Sequence, residues 1–236
     1  MASPNSILSV EKLRVAFGRQ VIIDDLSFEV RSGECLAVIG PNGAGKTVLL
    51  KALLDLIPHQ GEIRWSPDAR LGYVPQKIAA DRQLPLRLVD LLAAKAAVQR
   101  VASAEIGVAA AEVNLTPQVL NSSVGHLSGG QFQKALIAFA LLGQPNVLLF
   151  DEPTASLDEL AEEHTYDLLH NLQQQKGMTT ILVSHDLSVV YRYADQVLCL
   201  SKGKLCMGPP KDLLTPAMLE ELYGGPSKFY RHIDHD

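Results

Sequence analysis

The sequence predicts an α/β protein built on a parallel β-sheet that is interrupted by a helical insertion. In the second half of the chain, strand-type and helix-type segments alternate, which is the pattern of βαβ units. Segments 35–39 and 147–150 are apolar throughout, as expected of central parallel strands buried on both faces. From about 88 to 113 the chain is instead rich in alanine and leucine at helical spacing, and this stretch predicts the insertion.

Composition narrows the class of protein further. The 236 residues suit one compact α/β unit, and a formal net charge of −5 argues against binding nucleic acid or anionic lipid by bulk electrostatics. The longest uncharged apolar stretch, 135–150, is broken at 143–146 and is shorter than the ~20 residues of a membrane span. The start of the chain lacks the features of a secretory signal. We therefore expect three buried thiols in a reducing cytosol, at Cys35, Cys199 and Cys206.

Turn-forming residues separate the predicted elements of the first part of the chain. The pairs at 18–19, 24–25 and 32–33 divide an apolar stretch into short strands, and Pro58 stops the first helix. The predicted strands are 7–17, 21–23, 26–30, 35–39, 62–65, 71–74, 147–150, 179–184 and 197–200. The predicted helices are 46–56, the stretch within 88–113, one that begins near 128–129, 159–175 and 187–193.

A glycine-rich turn follows the apolar strand at 35–39 and precedes a helix. It fits G-x-x-x-x-G-K-[ST] and consists of Gly40, Pro41, Asn42, Gly43, Ala44, Gly45, Lys46 and Thr47. In such a loop, backbone N–H groups surround phosphate oxygens, the lysine supplies positive charge to the β/γ phosphates, and the threonine hydroxyl coordinates Mg²⁺. The alternative is a plain glycine-rich turn before a helix, and the flanking strand together with Lys46-Thr47 argues against it.

Two carboxylates end the apolar strand at 147–150. Such a strand delivers Asp151 to the carboxyl edge of the sheet, beside the phosphate loop, where it can hold Mg²⁺. Glu152 is placed to orient or deprotonate an attacking water. A solvated acidic turn is the alternative for this pair taken alone. With the phosphate loop, the pair predicts a nucleoside triphosphatase, and no asparagine is followed by lysine, so the GTPase motif Asn-Lys-x-Asp is missing.

Residues 127–131 read Leu-Ser-Gly-Gly-Gln and lie between the two nucleotide motifs. Here the sequence resembles the ATP-binding cassette (ABC) family, whose motifs occur in family order along nearly the whole chain. The resemblance implies a head-to-tail homodimer with ATP at its interface, in which the signature residues of one chain close over the γ-phosphate held by Lys46 of the other. The nucleotide-binding residues implied in this segment are Ser128, Gly129, Gly130 and Gln131.

The resemblance assigns further roles along the chain. Phe17 matches the aromatic that stacks on adenine, although its residue type alone fits a core aromatic equally well. Gln76 matches the glutamine that contacts Mg²⁺ and water and begins the segment facing the permease, and Asp158 belongs to the loop that touches the opposite subunit. His185, after the strand at 179–184, matches the residue that hydrogen-bonds the γ-phosphate. The implied catalytic residues are Glu152, His185, Gln76 and Lys46, and the implied Mg²⁺ ligands are Thr47, Gln76 and Asp151.

The family's architecture predicts one ABC ATPase domain over residues 1–236. It comprises a P-loop NTPase core with an N-terminal antiparallel β subdomain, residues 1–76 and 141–236, and a helical signature subdomain, residues 77–140. Two residues depart from the family pattern, namely Lys134 where arginine is usual and Phe139 where a charged residue forms a structural ion pair. We expect these departures to alter packing of the helical insertion without loss of hydrolysis.

Narrower similarity points to ATPase subunits of zinc and manganese importers. It lies in segments 71–77, 84–86, 197–200 and 229–236. The implied protein uses ATP and Mg²⁺ at the cytoplasmic face of the cell membrane, with integral-membrane permease subunits and a separate substrate-binding protein, and binds no nucleic acid. The alternatives are an ABC ATPase for an iron chelate or cobalamin, or a regulatory ABC ATPase. In the tail, His232, Asp234 and His235 are either weak metal ligands or solvated side chains.

Overall fold

The computed structural model describes residues 5–76, 86–152, 159–201 and 204–223. It divides into two compact units, the first formed by Met1–Asp68 with Thr179–Asp236 and the second by Ala69–Met178. The described strands are β1 (Ser6–Phe17), β2 (Gln20–Arg31), β3 (Cys35–Ile39), β4 (Gln60–Trp65), β5 (Leu71–Val74), β6 (Val147–Asp151), β7 (Thr179–Val183), β8 (Gln196–Ser201) and β9 (Lys204–Gly208). The described α-helices are α1 (Lys46–Leu53), α2 (Leu88–Gln99), α3 (Ala104–Glu112), α4 (Pro117–Leu120), α5 (Gly129–Leu141), α6 (Glu159–Lys176), α7 (Leu187–Tyr193), α8 (Pro210–Leu213) and α9 (Pro216–Tyr223).

The first unit contains an antiparallel sheet in the order β2-β1-β4. The predicted break at 24–25 is wrong, because β2 runs without interruption from Gln20 to Arg31. Asp25 adopts a positive φ of 49°, and the β1–β2 register shifts where Val15 pairs Ile23 and Leu13 pairs Leu26. A β-bulge of this kind inserts extra residues without ending a strand, so two turn-forming aspartates are accommodated within β2.

The first unit also contains the strands that carry the phosphate loop. Strand β3 pairs in parallel with both β7 and β8, and all five of its residues are buried. Helices α7 and α9 pack against this sheet, and their Val190 and Leu222 belong to one core cluster with Ile39. Helix α1 ends at Leu53, before the predicted end at 56. The buried parallel strands and their covering helices confirm the predicted α/β class.

The cysteines differ from the sequence-based expectation. Cys35 is a buried free thiol, and burial raises its pKa to about 12. Cys199 and Cys206, by contrast, form a disulfide, so the expectation of free thiols at these two positions is wrong. The reason is strand β9, which no sequence pattern predicted: it pairs antiparallel with β8 and puts Cys206 directly opposite Cys199.

The second unit combines two parallel strands, β5 and β6, with the helical part of the chain. The predicted helical stretch consists of α2 and α3, and Arg100 ends α2 in a left-handed conformation. Helix α5 contacts α2, α3 and α6. Phe139 on α5 is one of the two residues that depart from the family pattern, and the centroid of its ring lies 4.2 Å from the Lys95 ammonium on α2. A cation–π contact therefore joins these helices where the family pattern led us to expect altered packing.

The boundaries of the two compact units differ from the boundaries of the predicted subdomains. The sequence-based subdomains placed 71–74 and 147–150 with the nucleotide-binding core, whereas both strands belong to the compact unit that also contains helices α2 to α6. The single-domain organisation over 1–236 stays a prediction. Within the described ranges, no helix has the length and apolarity needed to cross a bilayer.

Candidate functional site

The phosphate loop begins where β3 ends, at Ile39. All three of its glycines have positive φ, namely Gly40 at 150°, Gly43 at 80° and Gly45 at 99°. A Cβ on Gly40 would lie 2.1 Å from the Leu200 carbonyl oxygen of the neighbouring strand, which excludes any larger residue without displacement of β8 or the loop. The loop therefore requires glycine for close backbone approach as well as for conformation.

Lys46 starts helix α1 and is 6% exposed. Its Nζ donates hydrogen bonds to the carbonyl oxygens of Gly40, at 2.8 Å, and Pro41, at 3.2 Å. Backbone carbonyl groups of the phosphate loop thus hold the ammonium group of Lys46. Thr47, the next residue, is half-buried at the N-terminus of the same helix. A helix N-terminus with a lysine and a threonine offers N–H donors, a positive charge and a hydroxyl to phosphate oxygens.

His185 follows β7 at the same end of the parallel strands. The Ser184 N–H donates to the Val38 carbonyl at 3.3 Å, so the carboxyl ends of β7 and β3 are aligned. His185 is exposed. The next residue, Asp186, caps α7 by accepting the Ser188 N–H at 2.8 Å, and this cap fixes the turn that carries the histidine.

Asp151, the last residue of β6, and Glu152, the residue after it, lie in different environments within the second unit. Asp151 is 2% exposed, and the Tyr73 hydroxyl of β5 lies 3.4 Å from its Oδ2. Burial, and then the Asp151 charge, raise the pKa of Tyr73 to about 12, so the phenol stays protonated and donates. Glu152 is half-buried with a left-handed φ of 46°, and the Gln76 Nε2 donates to its Oε2 at 2.6 Å. The structure therefore brings two predicted site residues, Gln76 and Glu152, into direct contact.

The signature segment forms the N-terminus of α5. Ser128 caps the helix: its Oγ accepts the Gln131 N–H at 3.3 Å, and its own N–H donates to the Gln131 Oε1 at 3.0 Å. This reciprocal capping box satisfies two groups and fixes the Gln131 side chain. Ser128 and Gly129 are exposed, so the serine hydroxyl and the positive end of the helix dipole face solvent.

Other predicted residues are placed as follows. Phe17 is 51% exposed, which contradicts the alternative reading as a core aromatic and leaves its ring open for stacking. Asp158 lies outside the described residues, as do His232, Asp234 and His235. In the described part of the chain, no group of three or more His, Cys, Asp or Glu residues could hold a metal ion. The proximity of Asp151 to the phosphate loop stays a prediction.

Sequence reasoning missed Tyr73 as a neighbour of the site. Strands β5 and β6 pair in parallel with Tyr73 opposite Leu149 and Val74 opposite Phe150. The available signal in the sequence was the hydroxyl group of Tyr73, which lies in a short, otherwise apolar strand just before Gln76. Without knowledge that β5 and β6 are neighbours, this signal could not be connected to Asp151.

Comparison with known proteins settles the family. The sequence profile of the ABC transporter family matches residues 23–155, which is more than half of the chain. The chain belongs to the ABC transporter family. Over 98% of its length, this ABC ATPase is 36% identical to the zinc import ATP-binding protein ZnuC of Pseudomonas entomophila (strain L48), 90% of which is covered. It is 38% identical to the zinc import ATP-binding protein ZnuC of Cereibacter sphaeroides, with 96% of this chain and 94% of that protein covered.

Solved structures agree with the family assignment. An ABC transporter in an inward-facing conformation matches 94% of this chain with 29% identity and a TM-score of 0.86, and 90% of that chain is covered. An ATP-binding subunit of another ABC transporter matches 92% of this chain and 98% of its own length, with 29% identity and a TM-score of 0.77. The protein is therefore an ABC ATPase with the α/β fold of that family.

The donor set of this ABC ATPase suits a nucleotide and a hard cation. Lys46 and the loop N–H groups suit phosphate oxygens, and the exposed imidazole of His185 offers a donor at the same strand ends. Asp151 is a buried carboxylate, and carboxylate and hydroxyl oxygens are the ligands that Mg²⁺ prefers in proteins. The residues present therefore fit a nucleotide–Mg²⁺ complex in chemical type.

Proposed function

We propose that this ABC ATPase powers import of a divalent metal ion, zinc or manganese, through separate permease subunits. The observation that carries the proposal is identity of 36–38% to two zinc import ATP-binding proteins over nearly the full length of all three chains. This similarity extends beyond the nucleotide motifs, which are common to the whole family. Both relatives are named for zinc import, so zinc is the first ion to test.

The proposed cofactor is Mg²⁺, with Thr47, Gln76 and Asp151 as its ligands. Bound with ATP, the ion would offset negative charge on the β- and γ-phosphates. Asp151 supports this role through its burial, because a carboxylate that is 2% exposed requires compensation by donors or a cation. Gln76 donates to Glu152 in this structure, so its amide oxygen remains as the group that could reach a cation.

The remaining residues divide the chemistry of hydrolysis among them. Lys46 balances charge on the phosphates, and His185 donates a hydrogen bond to a γ-phosphate oxygen. Glu152 accepts a proton from water as the water oxygen bonds to the γ-phosphorus and the bond to the bridging oxygen of ADP breaks. Its left-handed backbone presents the carboxylate beyond the end of β6.

The proposed assembly is a homodimer at the cytoplasmic face of the membrane. Ser128, Gly129 and Gly130 of one chain would close over the nucleotide of the other, because the capped helix N-terminus in this structure is exposed and rich in N–H donors. Two permease subunits would provide the path for the ion, and a separate binding protein would deliver it.

ATP-driven uptake into proteoliposomes tests this proposal. Vesicles containing this chain and its cognate permease are loaded with ATP, and radioactive Zn²⁺ or Mn²⁺ is supplied outside with the cognate binding protein. We expect uptake of at least one of the two ions with this chain and none above background with the matched variant Glu152→Gln. Uptake of an iron chelate or cobalamin in place of the free ions would contradict the metal-ion assignment, and failure to associate with any permease would favour a regulatory ATPase.

A further inference from the structure

Strand β5 and the segment just after it each supply one hydrogen-bond donor to the two carboxylates at the end of β6. The Tyr73 hydroxyl of β5 reaches Asp151 Oδ2, and Gln76, two residues beyond the strand, reaches Glu152 Oε2. Both donors are neutral groups. The parallel register makes this possible, because it aligns Val74 with Phe150 and so carries both strands to the same edge.

The contact between Tyr73 and Asp151 can control the orientation of a buried carboxylate. Asp151 is 2% exposed and cannot exchange its protein donors for water, so each donor restrains how the carboxylate is rotated. At 3.4 Å, the Tyr73 contact is longer than the roughly 2.5–3.0 Å typical of O–H···O hydrogen bonds, and donors around a site of this kind often tighten when the ligand binds. Tyr73 itself is half-buried in a four-residue strand, which limits the positions available to its ring.

We propose that Tyr73 is a positioning residue that orients the Asp151 carboxylate for the divalent cation accompanying the nucleotide. The hydroxyl engages Oδ2 and thereby sets the plane of the carboxylate, which determines where its oxygens present lone pairs to a cation. Groups that hydrogen-bond a metal ligand in this way commonly tune metal affinity without contacting the metal. This inference rests on the proposed role of Asp151 as a Mg²⁺ ligand.

The test uses Tyr73→Phe, which removes one hydroxyl and keeps the ring. Binding of Mn²⁺ to the full chain with a non-hydrolysable ATP analogue is measured by electron paramagnetic resonance, and the Mg²⁺ dependence of ATPase activity is measured in parallel. We expect Mn²⁺ affinity to fall about 10-fold, the lower end of the effect usual for such groups, and the half-saturating Mg²⁺ concentration to rise by the same factor. At saturating Mg²⁺, kcat should stay within about twofold of wild type, because the hydroxyl does not contact the reacting atoms.

Two further variants keep the result interpretable. Tyr191→Phe removes a hydroxyl from an exposed tyrosine on α7 and should change neither measurement. Asp151→Glu keeps a carboxylate but moves it, so in that background Tyr73→Phe should have no additional effect on Mn²⁺ affinity.

The possible results separate this inference from the proposed function. If the wild-type chain binds Mn²⁺ with nucleotide and the Tyr73→Phe chain binds it with the same affinity, the proposed role of Tyr73 is wrong and the proposed Mg²⁺ site is unaffected. A fall in kcat with unchanged half-saturation would do the same, as would an undiminished effect of Tyr73→Phe in the Asp151→Glu background. Absence of Mn²⁺ binding in wild type with nucleotide would overturn both this inference and the proposed Mg²⁺ site.

Discussion

Two glycines of the phosphate loop allow two costs of a glycine-to-alanine substitution to be measured separately, namely a steric clash of the new Cβ and an unfavourable backbone conformation. Gly40 and Gly43 both have positive φ, but a Cβ on Gly43 would meet nothing within 4 Å, whereas a Cβ on Gly40 would lie 2.1 Å from the Leu200 carbonyl oxygen. Real Cβ contacts essentially never fall below 3.0 Å, so alanine at position 40 requires the loop and β8 to separate by most of an ångström. The same substitution therefore tests two different costs.

The expected magnitudes follow from these distances. Gly43→Ala places a Cβ in a left-handed conformation, which costs about 1–2 kcal/mol and is partly offset by the reduced entropy of the unfolded chain, for a net loss of about 1 kcal/mol. Gly40→Ala adds an overpacking cost against backbone atoms, at the upper end of the usual range of about 1–3 kcal/mol, which gives a total of about 3–4 kcal/mol. For a chain of this size, these losses correspond to a fall in Tm of roughly 3 °C and roughly 10 °C.

The assay is thermal and urea unfolding of the nucleotide-free chain, so that differences in ligand binding make no contribution. Gly43→Ala serves as the matched control, because it shares the residue change and the loop. Losses of stability that agree within about 1 kcal/mol for the two variants would refute the reasoning, since the contact with Leu200 would then carry no measurable cost.

Three other predictions concern separate contacts. Lys95→Met and Phe139→Leu should each lower stability, with a coupling of about 0.5–2 kcal/mol in the double variant; simple additivity in urea unfolding would show that the cation–π contact is unimportant. Alkylation of the denatured, unreduced chain should modify one cysteine, and reduction should raise the number to three, because Cys199 and Cys206 are paired; three modified cysteines before reduction would contradict the disulfide. Glu152→Gln should retain ATP binding but hydrolyse at least about 100-fold more slowly, and turnover close to wild type would remove Glu152 from its proposed role as the base.

Sequence alone was sufficient where a local pattern determines the structure. The fully buried strands β3, β6 and β7 were each predicted to within a residue or two, because burial on both faces leaves a run of mostly hydrophobic residues. The phosphate loop was predicted by its glycine spacing, and α7 by its helical periodicity after the strand. In each case the decisive residues are neighbours along the chain.

Features that depend on pairing between distant segments could not be predicted in this way. Strand β9 is short and carries a glycine at its end, so its sequence has little strand character, and its pairing with β8 creates the Cys199–Cys206 disulfide. The bulge that keeps β2 continuous depends on its partner β1 in the same way. The contact between Gln76 and Glu152 joins residues 76 positions apart, and the signal for it lies in the β5–β6 register.

The adjacent carboxylates show why residue type alone does not assign a role. Asp151 and Glu152 have the same charge, but Asp151 ends β6 and is 2% exposed, whereas Glu152 leaves the strand with a φ of 46° and is half-buried. A buried carboxylate favours partners that compensate its charge, such as donors and a cation, whereas a partly exposed carboxylate beyond the end of a strand can contact a water molecule. The turn of the backbone at Glu152 thus gives two neighbouring residues different environments, and these environments support the assignment of Asp151 to the cation and Glu152 to the attacking water.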